Sequence, residues 1–382
     1  MKQIFLISCF FIAVSAVSSE NMETYGNVEA RTAVSFMPAE NEKFFTGISS
    51  VTLRHTLPCS MGAFNGSHRL SVSPGSHPEY RVLTAYMSLY LTDNLTVFGG
   101  KQLSDPGLGF LFTGYSLSTG SSMPAGEQAD YLGITSVLNF GISGSWETVF
   151  SFEEALTSET PHFWENFVYQ TRISWFLPPV ELAFTGGYRY EENLRAAGEL
   201  RLQAGDFTFY LSGAGEFINS RQYPVPSGNG IIRQNASGTV FPLFTGGIQW
   251  NRTGSVSFSA AAEYRFDSRG YTGNELDLIL SLPPETETGF TPGLLGKHYS
   301  AFSFTADMSG FMRTNHTGLL NLTDLSGVFN HSFTLTVLRN IDFFITLNWY
   351  AGEAGLTEFG SYPALTEPPG RITAGAGTRI HF

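Results

Sequence analysis

The stretch Arg371–Phe382, RITAGAGTRIHF, decides how the chain is read. Ile372, Ala374, Ala376, Thr378, Ile380 and Phe382 share one parity, and Arg371, Thr373, Gly375, Gly377, Arg379 and His381 share the other. Successive side chains of a strand point to opposite faces, so one face here is mainly apolar and the other polar or small. The pattern recurs at 83–91, 167–175, 180–190, 199–203 and 256–266. In 180–190, Val180, Leu182, Phe184, Tyr188 and Tyr190 alternate with Glu181, Ala183, Thr185, Gly187 and Arg189. One such match decides little, but the series predicts an all-β chain of half-buried strands.

Composition narrows the setting. Charged residues make up 14% of the 382, against about 25% in ordinary soluble domains. The chain holds 41 Gly, 34 Phe and 16 Tyr, yet its mean hydropathy is −0.01. Few charges, many aromatics and no overall hydrophobicity suit a surface shared between lipid and water. The N-terminus, MKQIFLISCFFIAVSAVSS, joins Lys2 to a short apolar run, Ile4–Val14, and a small-x-small pattern at Ala16-Val17-Ser18. It reads as a secretory signal peptide over 1–18, with one barrel domain over 19–382. No apolar run is long enough for a spanning helix. Once the leader is removed, Cys59 is the one cysteine, which excludes an internal disulfide and a cysteine metal site. No metal or cofactor is expected. Phosphate loops, dinucleotide motifs and basic nucleic-acid patches are absent.

The predicted strands run to about 10–13 residues, longer than the ~5–6 of soluble sheets and close to the ~9–11 needed to cross a bilayer. Trp146, Trp175, Trp250 and Phe343 lie beside tight turns, and Tyr188, Tyr190, Tyr264 and Phe266 lie at the opposite strand ends. That is the arrangement of two aromatic girdles. The polar parity carries charge in mid-strand: Glu29, Arg31, Arg54, Arg172, Glu181, Arg189, Glu199, Arg201, Glu263, Arg265 and Arg379. A dry interior is destabilised by unpaired charge, whereas a watery lumen is not, so these residues are the candidate pore lining.

Tight turns are expected at 92–94, 141–144, 178–179, 205–206, 251–254 and 339–342, and longer linkers at 103–128, 157–161, 218–237, 312–327 and 353–369. Short and long connections mostly alternate, as in a transmembrane barrel. Two places break the rule: the link near Glu191–Asn193 is short where a loop belongs, and 283–297 is long where a turn belongs. Backbone groups left unpaired in hydrocarbon are costly, so the sheet must close, the last strand pairing with the first near Gly26–Phe36. The expectation is a closed antiparallel barrel of about 18 strands, with 16 as the alternative.

The leader, the alternating strands and the final TRIHF together resemble bacterial outer-membrane β-barrel proteins. The resemblance implies that Ile380 and Phe382 are read by the barrel-assembly machinery and that the barrel sits in outer-membrane lipid. A shorter stretch, LTVFGGKQLSDPGLGF at Leu95–Phe110, is similar to a segment of alginate-export and related 18-stranded porin families. These likenesses imply a channel for small polar solutes, with a homotrimer left open.

Such a lumen is water-filled unless narrowed. The candidate constriction is the Gly- and Ser-rich segment 103–128, with its apolar patch Phe110, Leu111 and Phe112. Arg outnumbers Lys 17 to 4, and guanidinium groups either pair with Glu to stiffen the wall or form a field that guides solutes. A transporter of apolar substrates and an adhesin or structural barrel are the alternatives. A lipid hydrolase is not supported, since no G-x-S-x-G occurs.

Overall fold

The structure, a computed structural model, describes residues 23–37, 42–59, 61–72, 77–103, 130–151, 167–189, 193–218, 221–227, 230–236, 239–280, 295–308, 310–352 and 372–381. The first strands are β1 (Glu23–Met37), β2 (Glu42–Cys59), β3 (Gly62–Val72), β4 (Glu79–Tyr90), β5 (Leu95–Leu103), β6 (Asp130–Phe140), β7 (Gly144–Ser151), β8 (Val168–Leu177) and β9 (Val180–Arg189). They continue with β10 (Asn193–Ala204), β11 (Phe207–Ile218), β12 (Arg221–Ser227), β13 (Gly230–Ala236), β14 (Thr239–Arg252) and β15 (Val256–Asp267). A helix, α1 (Gly273–Leu280), precedes β16 (His298–Met308), β17 (Met312–Asn321), β18 (Ser326–Leu338), β19 (Ile341–Ala351) and β20 (Ile372–His381).

Eighteen of these strands form one sheet, and β12 with β13 forms a separate hairpin between β11 and β14. Each barrel strand pairs antiparallel with its neighbours, and β20 returns to β1 in a register running from Asn27↔His381 to Phe36↔Ile372. The ring is therefore closed, as the edge argument requires. Barrel strands span 8 to 18 residues.

One face of the wall is largely apolar. Phe209 and Leu211 on β11, Phe244 and Ile248 on β14, Phe302 and Phe304 on β16, and Ile345 and Leu347 on β19 are all exposed on the outside. In a soluble protein such a continuous surface would drive aggregation; in a barrel it meets acyl chains. Trp146, Trp175 and Phe343 sit outward beside the short turns. Near the other rim, Tyr80 and Tyr264 hydroxyls each lie 2.7 Å from a histidine Nδ1, of His68 and His298 respectively. No helix among the described residues is long and apolar enough to cross a membrane.

The connections fall into two classes at the two rims. At one rim the turn at Gly205-Asp206 places Gly205 at φ 60°, where glycine is favoured. Two expectations about connections are corrected. The linker expected at 312–327 is strand β17 followed by a turn at 322–325. Its outward residues, Met312, Thr314, His316, Gly318 and Leu320, are too polar in the middle to show the apolar alternation that marks the other strands. With β17 and its preceding turn at 310–311 included, the connection containing 283–297 falls on the rim of long loops, so it is no exception. The link between β9 and β10 remains short on that rim. The leader, Phe110, Leu111, Phe112 and Phe382 lie outside the described residues.

Candidate functional site

Strand parity sets the charged side chains on the inner face, and the register sets which of them meet. Arg201 on β10 lies opposite Glu181 on β9, and its Nη1 donates to Glu181 Oε2 at 3.1 Å. Arg172 on β8 reaches across β9 to Glu199 on β10, Nη2 to Oε2 at 3.1 Å. Arg195 on β10 lies opposite Glu216 on β11, Nη2 to Oε2 at 2.8 Å. These contacts form a mixed ladder across four adjacent strands.

Toward the rim of long connections the ladder becomes a dry network. The chain leaves β15 at Asp267 and turns back, and Arg269 of that turn inserts between two carboxylates. Its Nη1 donates to Glu216 Oε2 at 2.6 Å. Its Nε and Nη2 grip Asp267 Oδ1 and Oδ2 at 2.9 and 2.7 Å. Arg265 Nη2 also donates to Asp267 Oδ2 at 2.8 Å. Glu216 is 1% exposed, and Arg195 and Arg265 are each 2% exposed. Charges so far from water persist only when paired and hydrogen-bonded, and these are.

The first turn of the β15–β16 connection packs over this network. Glu275 reaches back to cap the start of α1: Thr272 N and Oγ1 both donate to its Oε2, at 2.7 and 2.8 Å. Tyr271, Leu276 and Ile279 are buried together, with Leu295 packed against them. The segment is tied to the wall by Asp267 N to Lys297 O at 2.9 Å and Ser268 N to Pro242 O at 3.2 Å. Gly270 permits this approach, since a Cβ there would stand 2.0 Å from the Gly296 carbonyl oxygen. Beneath it the inward side chains Phe241 and Leu243 of β14 and Tyr299 of β16 are buried. The turn Asp267–Tyr271 is thus held on β11, β14 and the start of β16, and α1 packs on β12. Lower on that wall, Gly247 of β14 leaves room for Tyr210 of β11 and Glu263 of β15 to converge. A Cβ on it would come within 2.6 Å of Glu263 Cγ and 2.8 Å of Tyr210 Cε1.

The opposite wall differs. Arg54 on β2 and Arg69 on β3 are exposed on the inner face. Arg69 Nε donates to Thr52 Oγ1 at 3.4 Å, and among the described residues no carboxylate pairs with either guanidinium. Arg379 on β20 lies over the Phe344 ring, its Cζ 5.6 Å from the centroid. At the short-turn rim, Arg313 pairs with Asp307 at 2.7 Å, and His381 Nε2 lies 2.9 Å from Asp342 Oδ2.

Of the candidate lining residues, Arg172, Glu181, Glu199 and Arg201 come together in the ladder, while Glu263 and Arg265 are buried in the wall. The backbone register places Glu29 opposite Arg379, and Arg31 opposite Gly377; Arg189 ends β9. Ile380 is exposed on the outer face. Sequence reasoning missed Arg195, Glu216, Asp267 and Arg269. The first two share the inward parity of Glu199 and of Tyr210, a signal that extending β10 and β11 by a few residues would have found. Arg269 lies in a turn, where parity says nothing. Among the described residues no group of three potential metal ligands is present.

No protein-family model matches the sequence, and no curated protein matches it. Solved structures do match the fold. The crystal structure of Pseudomonas aeruginosa OccK11 (OpdR) aligns over 95% of this chain and 96% of its own, at 8% identity and a TM-score of 0.56. The outer membrane protein opdK from Pseudomonas aeruginosa aligns over 94% and 98%, at 8% identity and a TM-score of 0.56. Acinetobacter baumannii OccAB3 aligns over 94% and 99%, at 9% identity and a TM-score of 0.55. At such identities the likeness is one of fold: the closed β-barrel read from the alternation is the architecture these chains share.

Proposed function

We propose that this chain is a bacterial outer-membrane channel for passive diffusion of small polar or charged solutes. The observation that carries the proposal is the closed ring of eighteen strands with an apolar outer face and an inner face set with Arg, Glu and hydroxyl side chains. A ring of that size encloses water unless filled, and among the described residues the packed connection lies on the β11–β16 side. Similarity in fold to a protein described as an outer membrane protein supports the location. In this reading residues 1–18 are the export signal, and β20, through Ile380 and Phe382, is the segment presented to the barrel-assembly machinery. No enzymatic step is assigned.

The wall charges then act by position. On β8 to β15 each carboxylate of the ladder is matched by a guanidinium at 3.1 Å or less, so their fields largely cancel a few ångströms away. Arg54 and Arg69 face the lumen with no such match among the described residues and favour anions on their side. Purified protein added to a planar bilayer should give stepwise conductance. In a salt gradient, the Arg54→Gln, Arg69→Gln double variant should shift the reversal potential toward cation preference. An absence of steps from folded, inserted protein would overturn the channel reading and favour an adhesin or structural barrel.

A further inference from the structure

Lipid supplies no hydrogen-bond partner at the depth of mid-strand, so an imidazole on the outer face is out of place there. Two occur side by side. His316 is the fifth residue of ten in β17, and His331 lies directly opposite it on β18. Their Nδ1 atoms are 2.8 Å apart, so one ring donates and the other accepts. Both face outward. His316 stacks on the exposed Phe304 ring at 6.2 Å, while the residues of opposite parity, Asn315 and Asn330, bond to Thr305 and Asn348 on the inner face. The surrounding outer surface is aromatic: Phe302, Phe304 and Phe329. Within it Thr314 and the two histidines, all half-buried, make one shallow polar patch, while the Phe302 ring covers Gly318.

The proton count identifies what fits it. If two neutral imidazoles share one proton between their Nδ1 atoms, one ring must carry its own proton on Nε2 and the other must have a bare Nε2. Whichever way the bridging proton points, the pair presents one donor and one acceptor, at the same level on adjacent strands. Rotation of a second copy by half a turn about the membrane normal brings His316 opposite the partner's His331, and His331 opposite the partner's His316. Donor then meets acceptor twice. Thr314 is small enough for close approach, as in other membrane interfaces, where small residues admit the neighbour and polar groups hold it. We propose that the His316–His331 patch is the contact through which two copies of this chain associate side by side in the bilayer, as an isologous pair. The proposal needs the chain to be membrane-embedded but does not need it to conduct.

The test uses the full mature chain in lipid nanodiscs, with Cys59→Ser removing the native thiol. Native mass spectrometry should find pairs, and Thr314→Cys should give disulfide-linked dimers on mild oxidation. The His316→Leu, His331→Leu double variant should associate roughly tenfold more weakly with unchanged single-channel conductance. Single barrels only, a three-copy ring, or double-variant pairs as tight as the unsubstituted chain's would each overturn the proposal. Should the double variant fail to fold, the Thr314→Cys crosslink decides alone: dimers support the contact and their absence from inserted protein refutes it. Loss of conductance with pairing intact would count against the channel reading and not against this one.

Discussion

Arg269 should act as the latch of the β15–β16 connection, and Arg269→Met tests this. Methionine keeps an unbranched stem and removes the guanidinium, with its three contacts of 2.6 to 2.9 Å to Glu216 and Asp267. Breaking a buried pair ordinarily costs about 3–5 kcal/mol, because a charge is left unmatched. Here each carboxylate keeps a second guanidinium, Arg195 for Glu216 and Arg265 for Asp267. The low end, about 3 kcal/mol, is therefore the appropriate figure, and it corresponds to roughly a hundredfold rise in the undocked population. Leu276 is 0% exposed when α1 is docked, so a cysteine there reports undocking directly. In a Cys59→Ser background, Leu276→Cys should react with a membrane-impermeant maleimide roughly a hundred times faster when Arg269→Met is added. Single-channel current should rise or become noisier in the same variant. The matching control is Arg313→Met at the other rim, where Arg313 is 64% exposed and pairs with Asp307. Exposed pairs contribute only about 0–1 kcal/mol, and labelling at position 276 should not change. If Arg269→Met labels no faster than its background, the apolar cluster of Tyr271, Leu276, Ile279 and Leu295 holds the connection, and the latch argument is wrong.

Two further outcomes follow from the register and from close packing. Ala376 of β20 is paired with Thr32 of β1 and Ile345 of β19; Ala376→Pro deletes a ladder N–H inside the closing strand and should abolish the compact, heat-modifiable band of the folded barrel on gels. A full-strength band would refute the closure. Gly247→Leu pushes side-chain atoms against Glu263 and Tyr210 and should lower unfolding stability by about 1–3 kcal/mol in a urea titration. Gly99→Ala, where nothing lies within 4 Å of the added Cβ, should leave the midpoint nearly unchanged.

The barrel was legible because lipid and water impose opposite demands on adjacent residues. Wherever both demands acted, as in Val180–Arg189 or Val256–Asp267, alternation was plain. It failed in β17, where Thr314, His316 and Gly318 occupy the outer face. A strand whose outward residues meet something other than acyl chains loses the signal by which strands are recognised. The failure therefore marks the same place as the paired imidazoles. The inner wall was legible as a face but not as a set of contacts. Parity shows that Arg172 points inward, but not that it passes over β9 to reach Glu199. The latch was least legible, because Arg269 belongs to no strand, and its partners Glu216 and Asp267 lie 53 and 2 residues away.

The ionic network also bears on why a barrel wall should contain buried charge at all. Replacing such a network by apolar residues often leaves stability unchanged or improves it, so net stabilisation is a weak reason for keeping it. Position is a better one. An apolar cluster such as Tyr271, Leu276 and Ile279 tolerates small shifts, because dispersion contacts are individually weak and non-directional. Two carboxylates presented by β11 and β15 accept a guanidinium in a narrow range of positions, since three bonds must form at once. The wall thus fixes where the turn Asp267–Tyr271 sits. On the opposite wall Arg54 and Arg69 are exposed on the inner face with no carboxylate partner among the described residues, so charge serves there for something other than holding a connection in place.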